Sequence, residues 1–137
     1  MSLFVDTSVW YAAADTADTN NLRAREILSD GGHLLTTDHV LLETWTLLRW
    51  RLDRDAAERF WQGFRGGVAT LEVVGPGDLE TAWALGRGFP DQDFSFVDRT
   101  SFAVMERLGL ERVAAFDEDF AVYRWGPGRR RAFQVVR

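Results

Sequence analysis

Four carboxylates in this sequence occupy positions suited to binding a ligand. Asp6 and Asp117 each directly follow a short apolar run, so each stands at the expected carboxyl end of a strand. Glu43 and Asp98 fall within apolar stripes at helical spacing, so each should face inward from a helix. Ligands of open α/β sheets bind outside the carboxyl ends of the strands. We therefore expect the four side chains to meet there.

Several carboxylates in one site require a cation, because their mutual repulsion otherwise protonates some of them. The 137 residues include no cysteine and two histidines, which removes thiolate sites and leaves little room for a histidine-rich one. Oxygen ligands alone favour Mg²⁺, with Mn²⁺ as a substitute, over Zn²⁺. The sequence therefore predicts a hard divalent cation at the acidic cluster.

Each of the four carboxylates also has a purely structural explanation. Asp6 and Asp117 can cap the segments that follow them. Glu43 can form a buried ion pair with an arginine. Asp98 can complete a capping box with Ser95, and it can do so while serving a site.

The elements that must position these residues alternate along the chain. Five short apolar runs predict strands at residues 3–5, 34–36, 71–74, 113–116 and 133–136. Cap-forming residues predict where four helices begin, at Asp38, Asp55, Asp78 and Ser95. Glycines predict where three helices end, at Gly31, Gly88 and Gly109. This alternation predicts a mostly parallel sheet covered by helices on both faces.

Length and composition predict a single domain over residues 1–137, since the chain can bury one core and has no long linker. It has no apolar stretch near 20 residues and no signal-like N-terminus, so we expect a cytoplasmic protein. The net charge is -5, from 21 acidic and 16 basic residues, and every basic residue is arginine. An acidic total disfavours nucleic acid binding, so the distribution of the arginines must decide.

The acidic residues lie in four stretches of characteristic order: FVDTS at 4–8, LLTTDHVLLET at 34–44, DQDFSFVDRTSFAVM at 91–105 and AFDEDF at 115–120. Together they resemble the PIN-domain ribonucleases, in particular the VapC-type toxins of bacterial toxin–antitoxin modules. The match covers essentially the whole chain. The resemblance implies a three-layer α/β/α sandwich with a mostly parallel central sheet, and Mg²⁺- or Mn²⁺-dependent endonucleolytic cleavage of RNA.

The resemblance also implies roles for the four acidic residues. Asp6 and Asp98 correspond to direct metal ligands, and Glu43 and Asp117 complete the cluster directly or through water. One or two ions held there would activate a water for in-line attack on a phosphodiester. A cognate antitoxin protein that inserts an arginine or lysine into the pocket would inhibit the toxin, and the toxin is expected to be a homodimer.

Three further residues have supporting roles in this interpretation. Ser8 resembles the hydroxyl residue that supports the site by hydrogen bonding. Asp119 is acidic and close to Asp117, so either residue can occupy the fourth position. Asp93 is interpreted as a supporting residue outside the site.

Two groups of arginines are candidates for binding the RNA backbone. One group follows Asp119 and comprises Arg124, Arg129, Arg130, Arg131 and Arg137. The other borders the helix that carries Glu43 and comprises Arg49, Arg51, Arg54 and Arg59. Solvated surfaces explain either group equally well. Aromatic residues suited to base stacking are Trp10, Tyr11, Phe94 and Trp125, although core packing is the commoner role of such residues.

The remaining candidates each have two interpretations. Phe60, Trp61 and Phe64 share one helix and suit either a dimer interface or the core. His33 and His39 are interpreted as a loop residue and a helix-start residue rather than as catalytic groups.

Other classes of protein share parts of this pattern. A receiver domain needs a lysine beside its acidic site, and the chain has none. An aspartyl phosphatase needs a second aspartate where this chain has Ser8. The non-enzymatic alternative is a catalytically silent PIN-like module whose acidic pocket docks a basic protein partner. The sequence does not specify which RNA is cut, at which site, or with one or two ions.

Overall fold

A five-stranded sheet, in which every pair of neighbours is parallel, forms the centre of the computed structural model, which describes residues 2–137. The strands are β1 (Ser2–Val5), β2 (His33–Thr37), β3 (Thr70–Glu72), β4 (Arg112–Ala114) and β5 (Gln134–Val136). Their order is β3-β2-β1-β4-β5, which places β1 at the centre. All five predicted strands are confirmed, with ends within two residues of the expected ones.

Helices connect the strands and are named in chain order. They are α1 (Thr7–Ala14), α2 (Asn21–Asp30), α3 (Asp38–Arg51), α4 (Arg54–Arg65), α5 (Pro76–Gly88), α6 (Phe96–Leu108) and α7 (Asp119–Val122). A short 3₁₀ turn at Pro127–Arg129 precedes β5. Parallel neighbours need such crossover connections, because a short turn cannot return the chain to the same end of the sheet.

The central strand is covered on both faces. Leu3, Phe4 and Val5 are consecutive and at most 1% exposed, and successive strand residues point to opposite faces of a sheet. A continuous apolar run is what a parallel strand buried on both sides requires. The register pairs Phe4 with Leu35 of β2 and with Val113 of β4. The ends of β1 and β4 therefore lie side by side, which brings together the residues that follow them.

Helix α3 begins with a different cap from the one predicted. Thr37, not Asp38, is the N-cap, and its hydroxyl accepts a hydrogen bond from the Val40 amide at 3.1 Å. The Asp38 carboxylate instead accepts from the Val74 amide at 2.9 Å. Local sequence predicts that the Asp38 carboxylate caps α3, but the carboxylate instead accepts a hydrogen bond from a residue 36 positions away in the sequence.

Two other predicted starts are also shifted. Asp53 caps α4 by accepting from the Ala56 amide at 2.8 Å, so Asp55 lies in the first turn. Helix α5 begins after Gly75, and Asp78 reaches back to accept from the Gly75 amide at 3.0 Å. Each predicted residue therefore lies inside the helix it was expected to begin.

The signals around α6 are confirmed. Ser95 is its N-cap and accepts a hydrogen bond from the Asp98 amide at 3.1 Å. Gly109 follows its last turn at φ 69°, a left-handed conformation that glycine adopts without steric cost. Gly31 also directly follows its helix, α2, but in a right-handed conformation at φ -70°, whereas Gly88 is the last residue of α5. Helix α6 is thus fixed at both ends, and it carries Asp98 in its first turn.

Most of the candidate stacking aromatics belong to the core. Trp10 is 4% exposed and packs edge-on against Phe60 and Phe64, at centroid distances of 6.2 and 6.0 Å. Phe94 is 2% exposed and contacts Phe102 edge-on at 5.2 Å. Phe60 and Phe64 therefore follow the core interpretation rather than the interface one.

Two smaller expectations have different outcomes. His33 is the first residue of β2, not a loop residue, and its ring hydrogen-bonds the hydroxyls of Ser2 and Thr70, both at 2.7 Å. His39 lies at the start of α3, as predicted. Among residues 2–137, none of the helices is both long enough and apolar enough to cross a bilayer.

Candidate active site

A cleft of about 420 Å³ opens where β1 and β4 end. Seven carboxylates line it, together with polar and aromatic residues. The acidic residues are Asp6, Asp18, Glu43, Asp93, Asp98, Asp117 and Asp119. The four positions expected from the sequence therefore share one cleft.

Asp6 directly follows β1 and is also the N-cap of α1. Its carboxylate accepts hydrogen bonds from the Ser8 amide at 3.1 Å and from the Ser8 hydroxyl at 2.7 Å. The same hydroxyl oxygen accepts from the Phe116 amide at 3.0 Å. Ser8 thus links the ends of β1 and β4, which agrees with the supporting role implied by the resemblance. The capping and site interpretations of Asp6 are compatible, since only part of its carboxylate is used.

Burial makes the charge on Asp6 costly. The side chain is 3% exposed, and burial raises its pKa from 3.8 to about 6, against the lowering effect of the Ser8 bonds. The negative charges of Asp117 and Glu43 raise the pKa further. A cation in the cleft would reverse both effects.

Asp98 is buried in the first turn of α6, at 5% exposure. Burial raises its pKa most, followed by the charge of Asp6 and a hydrogen bond with Asp119. The helix N-terminus favours a negative charge at this place, but it does not offset the burial. No arginine among residues 2–137 forms a salt bridge with Asp98, so its ionised form is costly without a cation.

The loop after β4 brings two more carboxylates to Asp98. One oxygen of each of Asp98, Asp117 and Asp119 lies within 4.8 Å of the others. Asp117 is exposed and accepts from the Asp119 amide at 2.9 Å, while Asp119 is half-buried. Both residues that competed for the fourth position thus lie in the same cluster.

Glu43 is less deeply buried than the sequence predicts. It is half-buried rather than buried, because its helix runs along the rim of the cleft, and Trp50, seven residues later on the same face, is 80% exposed. Within residues 2–137 no arginine forms a salt bridge with it, so the alternative of a buried ion pair is wrong. Its charge nevertheless reaches Asp6.

Several cleft residues were missed by sequence reasoning. Asp93 lines the cleft, which corrects its placement outside the site. Asp18 and Asn20 come from the loop between α1 and α2, and Tyr11 and Arg51 line the same side. Loop residues carry no periodicity, so no local signal marks them as neighbours of the cluster. Tyr11 was noted only as a possible stacking residue.

The arginine groups are mostly engaged elsewhere. Of the four near α3, only Arg51 lines the cleft; Arg54 pairs with Glu58 at 3.4 Å, and Arg59 borders an apolar hollow.

In the C-terminal group, most side chains contact the protein itself. Arg129 donates to the Gly88 carbonyl at 2.7 Å, and Arg137 pairs with Glu118 at 3.0 Å. Arg131 lies over the Trp125 ring at 5.2 Å. The basic residues therefore form scattered local contacts rather than one continuous stripe.

The donor set fits a hard cation. The carboxylates that line the cleft supply oxygen ligands, Asp6 and Asp98 are buried with raised pKa values, and neither forms a salt bridge with an arginine among residues 2–137. Oxygen-only sites of this kind suit Mg²⁺ and Mn²⁺.

Comparison with known families decides the classification. The model of the PIN domain matches residues 3–126, which is most of the chain. The chain belongs to the PIN-domain family. PIN nucleases depend on metal ions, in accord with the acidic cluster.

Known PIN-domain proteins resemble this one over nearly their full length. The 23S rRNA-specific endonuclease VapC20 of Mycobacterium tuberculosis, from strains CDC 1551 / Oshkosh and H37Rv, is 38% identical over 120 residues. The match covers 87% of this chain and 92% of the relative. A crystal structure of M. tuberculosis VapC20, described as a sarcin-ricin loop cleaving toxin, superposes with a TM-score of 0.82 at 36% identity. That match covers 88% of this chain and 93% of the other.

These matches confirm the family expected from the sequence. The PIN-like α/β fold, the resemblance to VapC toxins and the assignment as an endonuclease all follow from them.

Proposed function

We propose that this PIN-domain protein is an Mg²⁺-dependent endoribonuclease, with Mn²⁺ as a substitute, whose metal site comprises Asp6, Glu43, Asp98 and Asp117. Asp6 and Asp98 act as direct ligands, and Glu43 and Asp117 act directly or through water. The observation that carries this proposal is the cluster of Asp98, Asp117 and Asp119 within 4.8 Å, with the buried Asp6 in the same cleft. Asp119 is assigned a supporting role beside Asp117.

In the proposed chemistry, the carboxylates hold and orient the metal ion. A bound divalent cation supplies the activation of water and the neutralisation of charge on the phosphodiester. Ser8 keeps Asp6 in place by donating to it, and the Phe116 amide fixes Ser8 in turn. Ser95 fixes the first turn of α6, and with it Asp98. Neither a lysine nor a histidine is required as a base.

We propose RNA as the substrate, and a loop of 23S rRNA as the first RNA to examine, because the relatives are named for that activity. An assay with purified protein and labelled RNA tests this proposal. We expect cleavage with Mg²⁺, loss of cleavage with EDTA, and recovery when Mg²⁺ or Mn²⁺ is restored. Sequencing of RNA 5′ ends after brief expression identifies the cleaved bonds.

The matched control for this assay is Asp98→Asn. This change keeps the shape of the side chain and removes the charge that a metal ligand needs, so cleavage should fall by about 10²- to 10³-fold. Circular dichroism should show an unchanged fold. Undiminished cleavage by a folded Asp98→Asn protein would exclude the proposed site. A wild-type protein that cleaves no RNA, yet binds a basic peptide in the cleft, would favour the silent docking module.

The proposed biological setting is that of a toxin held inactive by a cognate antitoxin protein in the cytoplasm. The acidic cleft supports this proposal, since an arginine or lysine of a partner would neutralise it and block the metal. We propose that residues 1–137 act as one nuclease domain. Co-expression with the protein encoded beside it should abolish RNA cleavage.

We also propose a homodimer, through an apolar face shared by α3 and α4. Leu42 and Trp61 are 56 and 36% exposed, and they line one shallow hollow together with the half-buried Trp45. Exposed apolar surface of this kind is costly unless a partner covers it. Light scattering of the wild type and of Leu42→Asp tests the oligomeric state.

A further inference from the structure

Arg51 is the one cationic side chain among the described residues that line the acidic cleft. It ends helix α3, and Glu43 and Leu47 precede it by two turns and one turn on the same face. All three line the cleft, so the helix presents a negative charge near the cluster and a positive charge farther along.

A rigid platform holds the Arg51 side chain. Its guanidinium carbon lies 5.0 Å from the centroid of the Tyr11 ring, within the range of a cation–π contact. Tyr11 is 7% exposed, and its hydroxyl donates to the Asp15 carboxylate at 3.0 Å. Since the ring is fixed by burial and by this bond, the guanidinium that stacks on it has a defined position.

The donors of Arg51 are not taken up by the surrounding acids. In the part of the chain that the structure describes, Arg51 forms no salt bridge, although carboxylates line the cleft around it. The Arg51 guanidinium also hydrogen-bonds the Tyr11 side chain, which uses part of its donor set. A guanidinium has five N–H donors, so donors remain for a phosphate, which accepts a parallel pair of them well.

The position along the helix separates Arg51 from the reacting centre. Eight residues of α-helix place it about 12 Å from Glu43 along the axis. From this spacing along the cleft we infer that a phosphate held at the carboxylate cluster differs from one held by Arg51.

We propose that Arg51 is a positioning residue that binds an RNA backbone phosphate adjacent to the one cleaved. This inference rests on the proposed endoribonuclease function. Arg51 fixes the strand in the cleft, and thereby selects which phosphate reaches the metal ligands. It also provides a local attraction for RNA in a protein whose net charge is -5.

Steady-state cleavage of a defined single-stranded RNA in Mg²⁺ tests the role of Arg51. We expect Arg51→Ala to raise KM by roughly 10- to 100-fold, the usual cost of a charged hydrogen bond, with kcat changed by less than about 3-fold. The slope of log(kcat/KM) against log salt should become shallower by about 0.7, as expected for one lost phosphate contact to a single strand. Arg51→Lys should recover part of KM, because it keeps the charge and loses the paired donors.

Arg49→Ala is the matched control. It removes an equal charge from the same end of α3, but Arg49 does not line the cleft, so KM should stay within about 2-fold of the wild type. Equal effects of the two alanine variants, or an unchanged KM for Arg51→Ala, would overturn the role of Arg51. Thermal unfolding of each variant should match the wild type, since Arg51 is exposed.

A failure of the underlying function gives a different result. If the wild type cleaves no RNA, fluorescence anisotropy of the same labelled RNA in Mg²⁺ still compares the variants. Weaker binding for Arg51→Ala alone would support the RNA contact, while equal binding by all variants would refute it.

Discussion

Asp6 and Asp98 pose an energetic problem at the residue scale. Each is at most 5% exposed, and no arginine among residues 2–137 forms a salt bridge with either. Burial raises both pKa values, and the negative charge of Asp6 raises the pKa of Asp98 further. The metal-free protein therefore stores unfavourable free energy at the place where the proposed cation binds, and binding releases it.

The stability of the metal-free protein should therefore depend on the ionisation of Asp6. Its folded pKa of about 6 lies above the unfolded value of 3.8, so its proton stabilises the folded state below about pH 4. That contribution is lost as the pH rises through about 6, and it amounts to about 3 kcal/mol. Asp6→Asn cannot ionise, so its unfolding free energy should gain on the wild type by this amount between pH 4 and pH 7.

Urea unfolding in EDTA over this pH range measures the difference. Asp91→Asn, which changes an exposed carboxylate, should follow the wild type at every pH. A difference between wild type and Asp6→Asn that is constant with pH, or that shrinks as the pH rises, would contradict the assigned burial cost.

At the scale of elements, helix α6 positions Asp98, and the packing of α6 on α5 holds this helix in place. Arg107 donates to both oxygens of the buried Asp78 of α5, at 2.9 and 3.0 Å, and to Glu72 at 3.1 Å. The Arg107 guanidinium holds the pKa of the Asp78 carboxyl below its usual range. This paired contact lies about 14 Å from Asp98 along the helix axis, so it supports the helix without entering the site.

Loss of Arg107 should therefore affect stability rather than catalysis. Arg107→Ala leaves the Asp78 carboxylate buried with the Gly75 amide as its remaining partner, and should lower the unfolding free energy by about 2 kcal/mol. This value is below that of a fully buried pair because Arg107 is 44% exposed. Urea unfolding measures the loss, and the double variant with Asp78→Ala should recover part of it. A kcat that falls with stability in the folded protein would contradict the separation of the two roles.

The strands and helices also show which parts of the fold could be predicted from local sequence. Strands were predictable because each is a short apolar run, which is what burial on both faces requires. The start of α3 was misplaced because two cap-forming residues, Thr37 and Asp38, are adjacent and the choice between them depends on Val74 in another part of the fold. Local sequence carries no record of that partner.

Part of the site was also predictable from local sequence, and the part that was missed depends on tertiary packing. Asp6 and Asp98 were predicted because an apolar context around a carboxylate is visible in sequence, and both are buried in the cleft. Asp93 and Asp18 lie on loops, whose path depends on tertiary packing. The depth of Glu43 was overestimated, since periodicity gives the face of a helix but not how far the helix extends along a rim.

On the scale of the whole molecule, one group of acidic residues shares a single cleft, whereas the arginines do not share one surface. The net charge of -5 is therefore a poor guide to RNA binding, because seven of the 21 acidic residues line that cleft. One bound Mg²⁺ would change the formal charge to about -3, and it would do so where RNA must approach.

Mg²⁺ should stabilise the whole protein through this cleft. A ligand that binds only the folded state adds about 2.7 kcal/mol when its concentration is 100 times its Kd. We expect the Tm to rise with Mg²⁺ at pH 7.5, and to rise less near pH 5, where protons compete for the Asp6 and Asp98 carboxylates. Calorimetry measures both, and an equal rise for Asp98→Asn would place the binding elsewhere.

The position of β1 at the centre of the sheet has a consequence for synthesis of the chain. Asp6 is synthesised well before its neighbour strand β4 and before the residues Asp98, Asp117 and Asp119, which come later in the sequence. The carboxylates therefore cannot assemble on a nascent chain until most of it has emerged. The nascent chain therefore lacks a complete carboxylate cluster until residue 119 has emerged.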